Sequence, residues 1–143
     1  MNPMTTTRKK VIIIPCSGIG KAFGSIGREA TYIVTEELRP NETNTLCLSL
    51  LTMGDKESQQ AVQEQLTISV DGCPKKCSQV NIEKSGGSPA VTLRVVDTFR
   101  KNKELKPGDV DNIGENGLKL ARILAEEISN EVDNLLLNEN QKE

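Results

Sequence analysis

A continuous run of β-branched residues near the start of the chain, Val11 to Ile14, limits the possible folds more than any other feature. An unbroken apolar run is typical of a strand that is covered on both faces, as the strands of parallel sheets are. A helical pattern follows the run and is expected to end before Pro40. A strand followed by a helix predicts a βαβ unit with a right-handed crossover. The apolar positions of the predicted helix are Ile19, Phe23, Ile26, Ala30 and Ile33.

Two further strands are predicted later in the chain, over residues 66–70 and 90–96. Helical patterns separate them, and a long amphipathic helix follows the last one, with Leu120, Leu124 and Ile128 on its apolar face. The predicted fold is a small three-layer α/β domain, with a short and mainly parallel sheet flanked by helices. The length of 143 residues suits a single domain. We expect that domain to cover residues 10–137, between a disordered leader (1–9) and a disordered tail (138–143).

Several connections are less clearly marked. Residues 39–44 are interpreted as a loop, and residues 101–111 as a charged loop that contains a Pro107-Gly108 turn. The segment 46–53 fits either a short strand or one or two buried helical turns, and Gly54 ends it in both cases. Asp55 is predicted to cap the short polar helix that follows.

The composition excludes several functional classes. Lys and Arg number 18 and Asp and Glu number 20, so nucleic acid is not expected as the main partner. Two Phe, one Tyr and no Trp are too few aromatic rings for a base-stacking platform. The chain has no histidine, which excludes a Ser-His-Asp triad, a Cys-His pair and a mixed Cys/His metal site built from this chain alone.

The location expected from the sequence is the cytoplasm. No stretch reaches the roughly 18 to 20 apolar residues that span a bilayer, so no membrane partner is predicted. The basic and apolar start resembles a signal peptide, but its four apolar residues fall short of the roughly 7 to 15 of a secretory core region. In a reducing cytoplasm, grouped cysteines are more often ligands or catalysts than disulfides.

The four cysteines are the chemically informative residues. Cys16 follows the first predicted strand and Cys73 follows the second, and ligands of α/β sheets bind beyond the carboxyl ends of the strands. If these strands are neighbours, the two thiols lie roughly 5 Å apart. Cys77 and Cys47 can then complete a tetrahedral set, which predicts one zinc ion held by four thiolates in a structural, sensing or carrier role.

The spacing of the cysteines leaves alternatives open. Cys47 could instead be a small core residue. Pro74 favours the first position of a helix, which would place Cys73 at its N-cap and Cys77 one turn inside. Asp71 could cap that helix, or it could act as a metal ligand or a proton acceptor.

Two other chemistries also use these thiols. In a thiol redox or sulfur-transfer protein, Cys73 would be the reactive thiolate, because helix dipoles and adjacent lysines lower the pKa of a thiol. Cys77 or Cys16 would then resolve the intermediate. Four thiolates can also hold an iron–sulfur cluster. Whether the chain is an enzyme, and which protein partner it has, stay open at this point.

A family resemblance rests on three segments taken together: Ile14-Pro15-Cys16-Ser17-Gly18, the isolated Cys47, and Asp71-Gly72-Cys73-Pro74-Lys75-Lys76-Cys77. The chain resembles the DGC-domain family, to which zinc binding is ascribed. The resemblance runs from about Lys10 to the last helix. It implies zinc binding by Cys16, Cys47, Cys73 and Cys77 in a small cytosolic protein, and it names no substrate.

Overall fold

A four-stranded parallel sheet forms the centre of the protein. The computed structural model describes residues 11–16, 22–72, 76–109 and 112–142. Within them the sheet has the order β2-β1-β3-β4, and every neighbouring pair is parallel. The predicted α/β class with a parallel sheet is therefore confirmed. The strands are β1 (Val11–Pro15), β2 (Thr43–Thr45), β3 (Thr67–Asp71) and β4 (Val91–Arg94).

Helices connect the strands and follow the last one. A π-helical turn, Val34–Leu38, extends the first helix, and this segment ends before Pro40 as predicted. None of the helices in the described part of the chain is long and apolar enough to cross a membrane. The last helix continues to Lys142 and so covers residues 138–142 of the tail for which disorder is predicted, whereas the predicted disordered leader (1–9) lies outside the described residues. The helices are α1 (Ala22–Ile33), α2 (Leu48–Met53), α3 (Lys56–Glu64), α4 (Cys77–Lys84), α5 (Val95–Arg100) and α6 (Gly114–Lys142).

The apolar residues of β1 alternate between two cores, one on each face of the sheet. Val11 and Ile13 join the larger cluster, which contains residues of α1, α5 and α6. Ile12 and Ile14 join the smaller cluster, with residues of α2, α3 and α4. Complete burial of an isoleucine side chain contributes about 2 kcal/mol, so this strand ties both outer layers to the sheet. The three-layer arrangement explains why its sequence is apolar without interruption.

The predicted interior of α6 is confirmed. Leu120, Leu124 and Ile128 are fully buried, and they pack in the larger cluster against residues of α1. Asp55 is also confirmed as the cap of α3, because its Oδ2 accepts hydrogen bonds from Ser58 N at 2.9 Å and from Ser58 Oγ at 2.7 Å.

Three boundaries differ from the sequence-based expectations. Thr43–Thr45, partly inside the predicted loop 39–44, forms the edge strand β2, and the Thr45 hydroxyl donates to the Ile13 carbonyl at 2.8 Å. The ambiguous segment 46–53 is helical from Leu48 and ends at Gly54, whose φ of +84° favours glycine. The third predicted strand ends at Arg94, because Val95 turns into α5 and is buried in the larger cluster.

A buried hydroxyl on α6 gives a prediction about stability. Ser129 is 3% exposed, and its Oγ has no hydrogen-bond partner among the described residues. Ser129→Ala removes this desolvated polar group, so the free energy of unfolding is expected to rise by about 1 kcal/mol. Ser78→Ala is the matched control, because the Ser78 hydroxyl donates to the Ile14 carbonyl at 2.6 Å and its loss is expected to lower stability by about 1 kcal/mol. Equal destabilisation of both variants in urea titrations would contradict this assignment.

Candidate metal centre

Three neighbouring strands each lead to a cysteine at the same edge of the sheet. Cys16 directly follows β1, Cys47 follows β2 by two residues, and Cys77 opens the helix α4 that comes after β3. Because the order is β2-β1-β3 and the strands are parallel, these residues lie beyond adjacent carboxyl ends. Cys73, the fourth predicted ligand, lies outside the described residues.

Cys16 is fixed by the two central strands. The register pairs Pro15 with Val70, which confirms that β1 and β3 are neighbours. The backbone N–H of Cys16 donates to the Val70 carbonyl at 2.9 Å, and the Cys16 Sγ accepts a hydrogen bond from Gly72 N at 3.2 Å. The side chain is 5% exposed. The thiol therefore sits in a defined position against the turn that leaves β3.

Gly72 allows the chain to approach α1 closely at this turn. A Cβ atom built on Gly72 would lie 2.7 Å from Gly24 N and 2.9 Å from the Phe23 carbonyl carbon. Both contacts are with backbone, which cannot rotate away as a side chain can. The glycine of the Asp-Gly step thus has a packing role that the sequence analysis did not identify.

Asp71 caps α4 from the end of β3. Its Oδ1 accepts from Ser78 N at 2.7 Å and its Oδ2 accepts from Gln79 N at 3.2 Å. These N–H groups belong to the second and third residues of the helix and have no partner within it. The capping role considered for Asp71 is therefore confirmed. Burial raises the pKa of the Asp71 carboxyl, while the two N–H groups and the charge of Lys76 act in the opposite direction.

The start of α4 corrects one prediction. The helix begins at Cys77, so this residue is not one turn inside it, and the Cys73-Pro74 pattern places the start too early. Lys76 precedes the helix in a left-handed conformation, with φ of +54°, and its own side chain makes no capping hydrogen bond. Asp71 supplies the cap from another element, which fixes the start at Cys77.

Cys77 and Ser78 attach the start of α4 to the sheet. Cys77 is partly buried and packs against the smaller apolar cluster, which contains Ile12 and Ile14. The hydroxyl of the fully buried Ser78 bonds to the carbonyl of Ile14, two residues before Cys16. Ser78 is thus a positioning residue that the sequence analysis missed. In the sequence, Ser78 directly follows Cys77 and comes soon after the Asp71-Gly72 step, and this position could have indicated its role.

Cys47 has different surroundings. It is exposed, so the alternative that it is a small core residue is wrong. Hydrogen bonding to the backbone N–H of Ser49, and then to its hydroxyl, lowers the pKa of the Cys47 thiol. Cys47 also lines a surface pocket of about 360 Å³ together with residues of α2 and α3. This thiol is both accessible and placed where its thiolate form is stabilised.

The described residues do not by themselves complete a metal site. No three of their His, Cys, Asp and Glu side chains lie close enough together to hold a metal ion. The structure thus brings Cys16, Cys47 and Cys77 to one edge of the sheet without a closed cluster among them. Asp71, a carboxylate at this edge, already accepts hydrogen bonds from two backbone N–H groups.

Comparisons with known proteins agree with the family resemblance. No curated protein and no solved structure matched the chain. The model of the DGC domain matches residues 12–129, a range that includes all of β1 except Val11, the four cysteines of the sequence, and the first half of α6. The chain therefore belongs to the DGC domain family.

Proposed function

We propose that this protein binds one zinc ion through the thiolates of Cys16, Cys47, Cys73 and Cys77. The observation that carries the proposal is the sheet order β2-β1-β3, which puts a cysteine beyond the carboxyl end of each of three adjacent strands. Sites of α/β proteins form at this edge because the loops converge there. Cys73 is outside the described residues; it falls between β3 and α4 in the sequence, and it is the fourth ligand in this proposal.

The chemistry of the donors supports zinc. Thiolate sulfur is a preferred zinc ligand, and a site with four cysteines and no histidine is a known tetrahedral type. Two of the described thiols are in surroundings that suit a negative sulfur: Cys16 accepts the Gly72 N–H, and the pKa of Cys47 is lowered by Ser49. Four protein ligands leave no open position, which favours a structural, sensing or carrier role over catalysis.

In this proposal, different elements and side chains hold the different thiols in position. Cys16 is held by β1 and β3, and Asp71 and Ser78 fix the start of α4 so that Cys77 stays at the sheet edge. When bound, zinc would supply a cross-link between the loops that follow these strands. Such a link stabilises the folded chain, because the unfolded chain does not offer the assembled ligands.

Elemental analysis of anaerobically purified protein by plasma mass spectrometry tests the proposal. We expect one zinc per chain, and we expect each single Cys→Ser variant at positions 16, 47, 73 and 77 to weaken zinc binding at least about tenfold, since a four-thiolate site loses one ligand. Met53→Leu is the matched control: it removes an exposed sulfur, six residues after Cys47 in the sequence, that is not a thiol, and its zinc content is expected to match the wild type.

The contradicting results point to different chemistries. Protein without zinc, in which one thiol is alkylated rapidly and Cys73→Ser abolishes that reaction, would favour thiol redox or sulfur transfer through Cys73. Brown protein containing iron would favour an iron–sulfur cluster. Circular dichroism of each variant separates loss of metal from loss of fold.

A further inference from the structure

The strand β4 lies at the edge of the sheet opposite β2. One side of β4 pairs with β3, and among the described residues no strand pairs with its other side. Thr92 in the middle of the strand is exposed, and neither a charged residue nor a proline occurs from Val91 to Leu93. Charged residues and prolines are devices by which proteins keep edge strands from pairing with another chain. The outer side of β4 lacks this protection and can accept a further strand.

A groove runs beside this edge, between β4 and the helices α5 and α6. Its volume is about 330 Å³, and most of the residues that line it are polar or charged. On the wall formed by α6, the side chains of Asn130, Glu131 and Asn134 make no hydrogen bond or ion pair with any described residue. Leu137 follows on the same face of the helix and is 57% exposed. This wall therefore offers both polar and apolar groups to a partner.

The direction of α6 determines which end of β4 its residues face. Glu127 accepts hydrogen bonds from Thr98 Oγ1 at 2.6 Å and from Lys101 Nζ at 2.5 Å, and both donors come soon after the carboxyl end of β4. Asp133 instead pairs with Arg39 at 2.7 Å, shortly before the amino end of β2. From Glu127 onward, α6 therefore runs from the carboxyl edge of the sheet towards its amino edge.

The two ends of the groove differ in charge. At the carboxyl end of β4, the three cations Arg94, Arg100 and Lys101 outnumber the two carboxylates with which they pair. Glu131, one helical turn beyond Glu127, lies towards the amino end and is half-buried without an ionic partner in the described part of the chain. A surface that is positive at one end and negative at the other is complementary to a copy of itself in the reverse direction.

We infer that β4 pairs with β4 of a second copy of this chain, antiparallel and about a twofold axis, which joins two four-stranded sheets into one. Thr92 then lies next to the axis and faces Thr92 of the other copy. The backbone edges supply the hydrogen bonds, and the attraction of Arg94 and Arg100 to Glu131 of the other copy favours the antiparallel direction. This pairing does not depend on zinc binding.

Sedimentation equilibrium of the full chain, kept reduced so that no disulfide links two copies, tests this pairing. We expect the wild type to form dimers with a dissociation constant below about 100 μM. Thr92→Lys should raise this constant at least about fivefold, because like charges then face each other across the axis. Thr92→Glu should do the same. An equimolar mixture of the two variants should dimerise at least as tightly as the wild type, because opposite charges then face each other.

Two further variants locate the interface. Asn44→Lys adds the same charge at an exposed position of β2, on the opposite edge of the sheet, and should leave the dissociation constant unchanged. Glu131→Gln should raise it about threefold, because an ion pair between the copies is lost. Circular dichroism verifies that each variant is folded.

Three results would overturn the inference. The first is a wild type that stays monomeric up to about 1 mM. The second is a dimer that Thr92→Lys leaves intact or that Asn44→Lys disrupts, because the copies would then associate through another surface. The third is a mixture of Thr92→Lys and Thr92→Glu that stays monomeric.

Discussion

Gly72→Ala is expected to lower the free energy of unfolding by about 3 kcal/mol, near the upper end of the usual cost of overpacking. The new Cβ would lie 2.7 Å from Gly24 N and 2.9 Å from the carbonyl carbon of Phe23, so the backbone of either α1 or the turn after β3 must move. That movement would also disturb the hydrogen bond from Gly72 N to Cys16 Sγ. We therefore expect weaker zinc binding together with the loss of stability. Urea denaturation monitored by circular dichroism measures the loss of stability.

Gly27→Ala is the matched control for this prediction. Gly27 also packs at the interface between α1 and β3, but its added Cβ would meet Val70 Cγ1 at 3.4 Å and Val95 Cγ2 at 3.5 Å, which the packing can accommodate. Alanine has a helix propensity up to about 1 kcal/mol better than glycine, so stability should be unchanged or slightly higher. If Gly72→Ala were as stable as the wild type, as is expected of Gly27→Ala, the assignment of a close backbone contact at Gly72 would be wrong.

Asp71→Ala is expected to cost about 2 kcal/mol. The substitution leaves the N–H groups of Ser78 and Gln79 without their acceptor, and removal of a cap or of one partner of a buried hydrogen bond has costs of this size. The start of α4 would lose its fixed position, and with it Cys77. Thermal unfolding gives the change in stability, and labelling of Cys77 by iodoacetamide is expected to become faster. A variant as stable as the wild type would contradict the capping role.

Asp71→Asn separates the cap from the charge. The amide keeps one oxygen acceptor and cannot titrate, so its cost should be smaller than that of Asp71→Ala. Because burial raises the pKa of Asp71, the folded wild type binds this proton more tightly than the unfolded chain does. The stability of the wild type relative to Asp71→Asn should therefore fall as the pH rises from acid to neutral. Urea titrations of both proteins across that range test the sign.

Much of the sheet could be predicted from local sequence because its central strands carry strong signals. Val11 to Ile14 are apolar without interruption and are buried on both faces. Residues 66–70 alternate, and they form β3 within one residue of the predicted bounds. In both strands the pattern of side chains and the two-sided burial point to the same structure.

Other elements depend on contacts that a local pattern does not contain. The strand Thr43–Thr45 has no apolar alternation and forms through its pairing with β1. Val95 and Val96 favour strands by propensity, yet packing against the larger cluster places Val95 in a helix.

In the candidate site, too, some positions could be predicted from local sequence and others depend on distant contacts. Cys16 and Cys77 lie at the predicted edge, because parallel strands make the placement of their carboxyl ends predictable. The predicted start of α4 is wrong, because Pro74 suggests a cap at the preceding residue. The cap is instead the carboxylate of Asp71, six residues before Cys77. The contact of Gly72 with Gly24 joins distant segments, and spacing along the chain does not reveal it.

X-ray absorption at the zinc edge, on the full chain as purified without oxygen, tests the four-thiolate site most directly. Zinc bound by Cys16, Cys47, Cys73 and Cys77 predicts a single shell of four sulfur atoms at about 2.3 Å. In Cys47→Ser protein reloaded with zinc, that shell should fall to three sulfur atoms. Oxygen or nitrogen ligands at about 2.0 to 2.2 Å in the wild type, or no zinc at all, would contradict it.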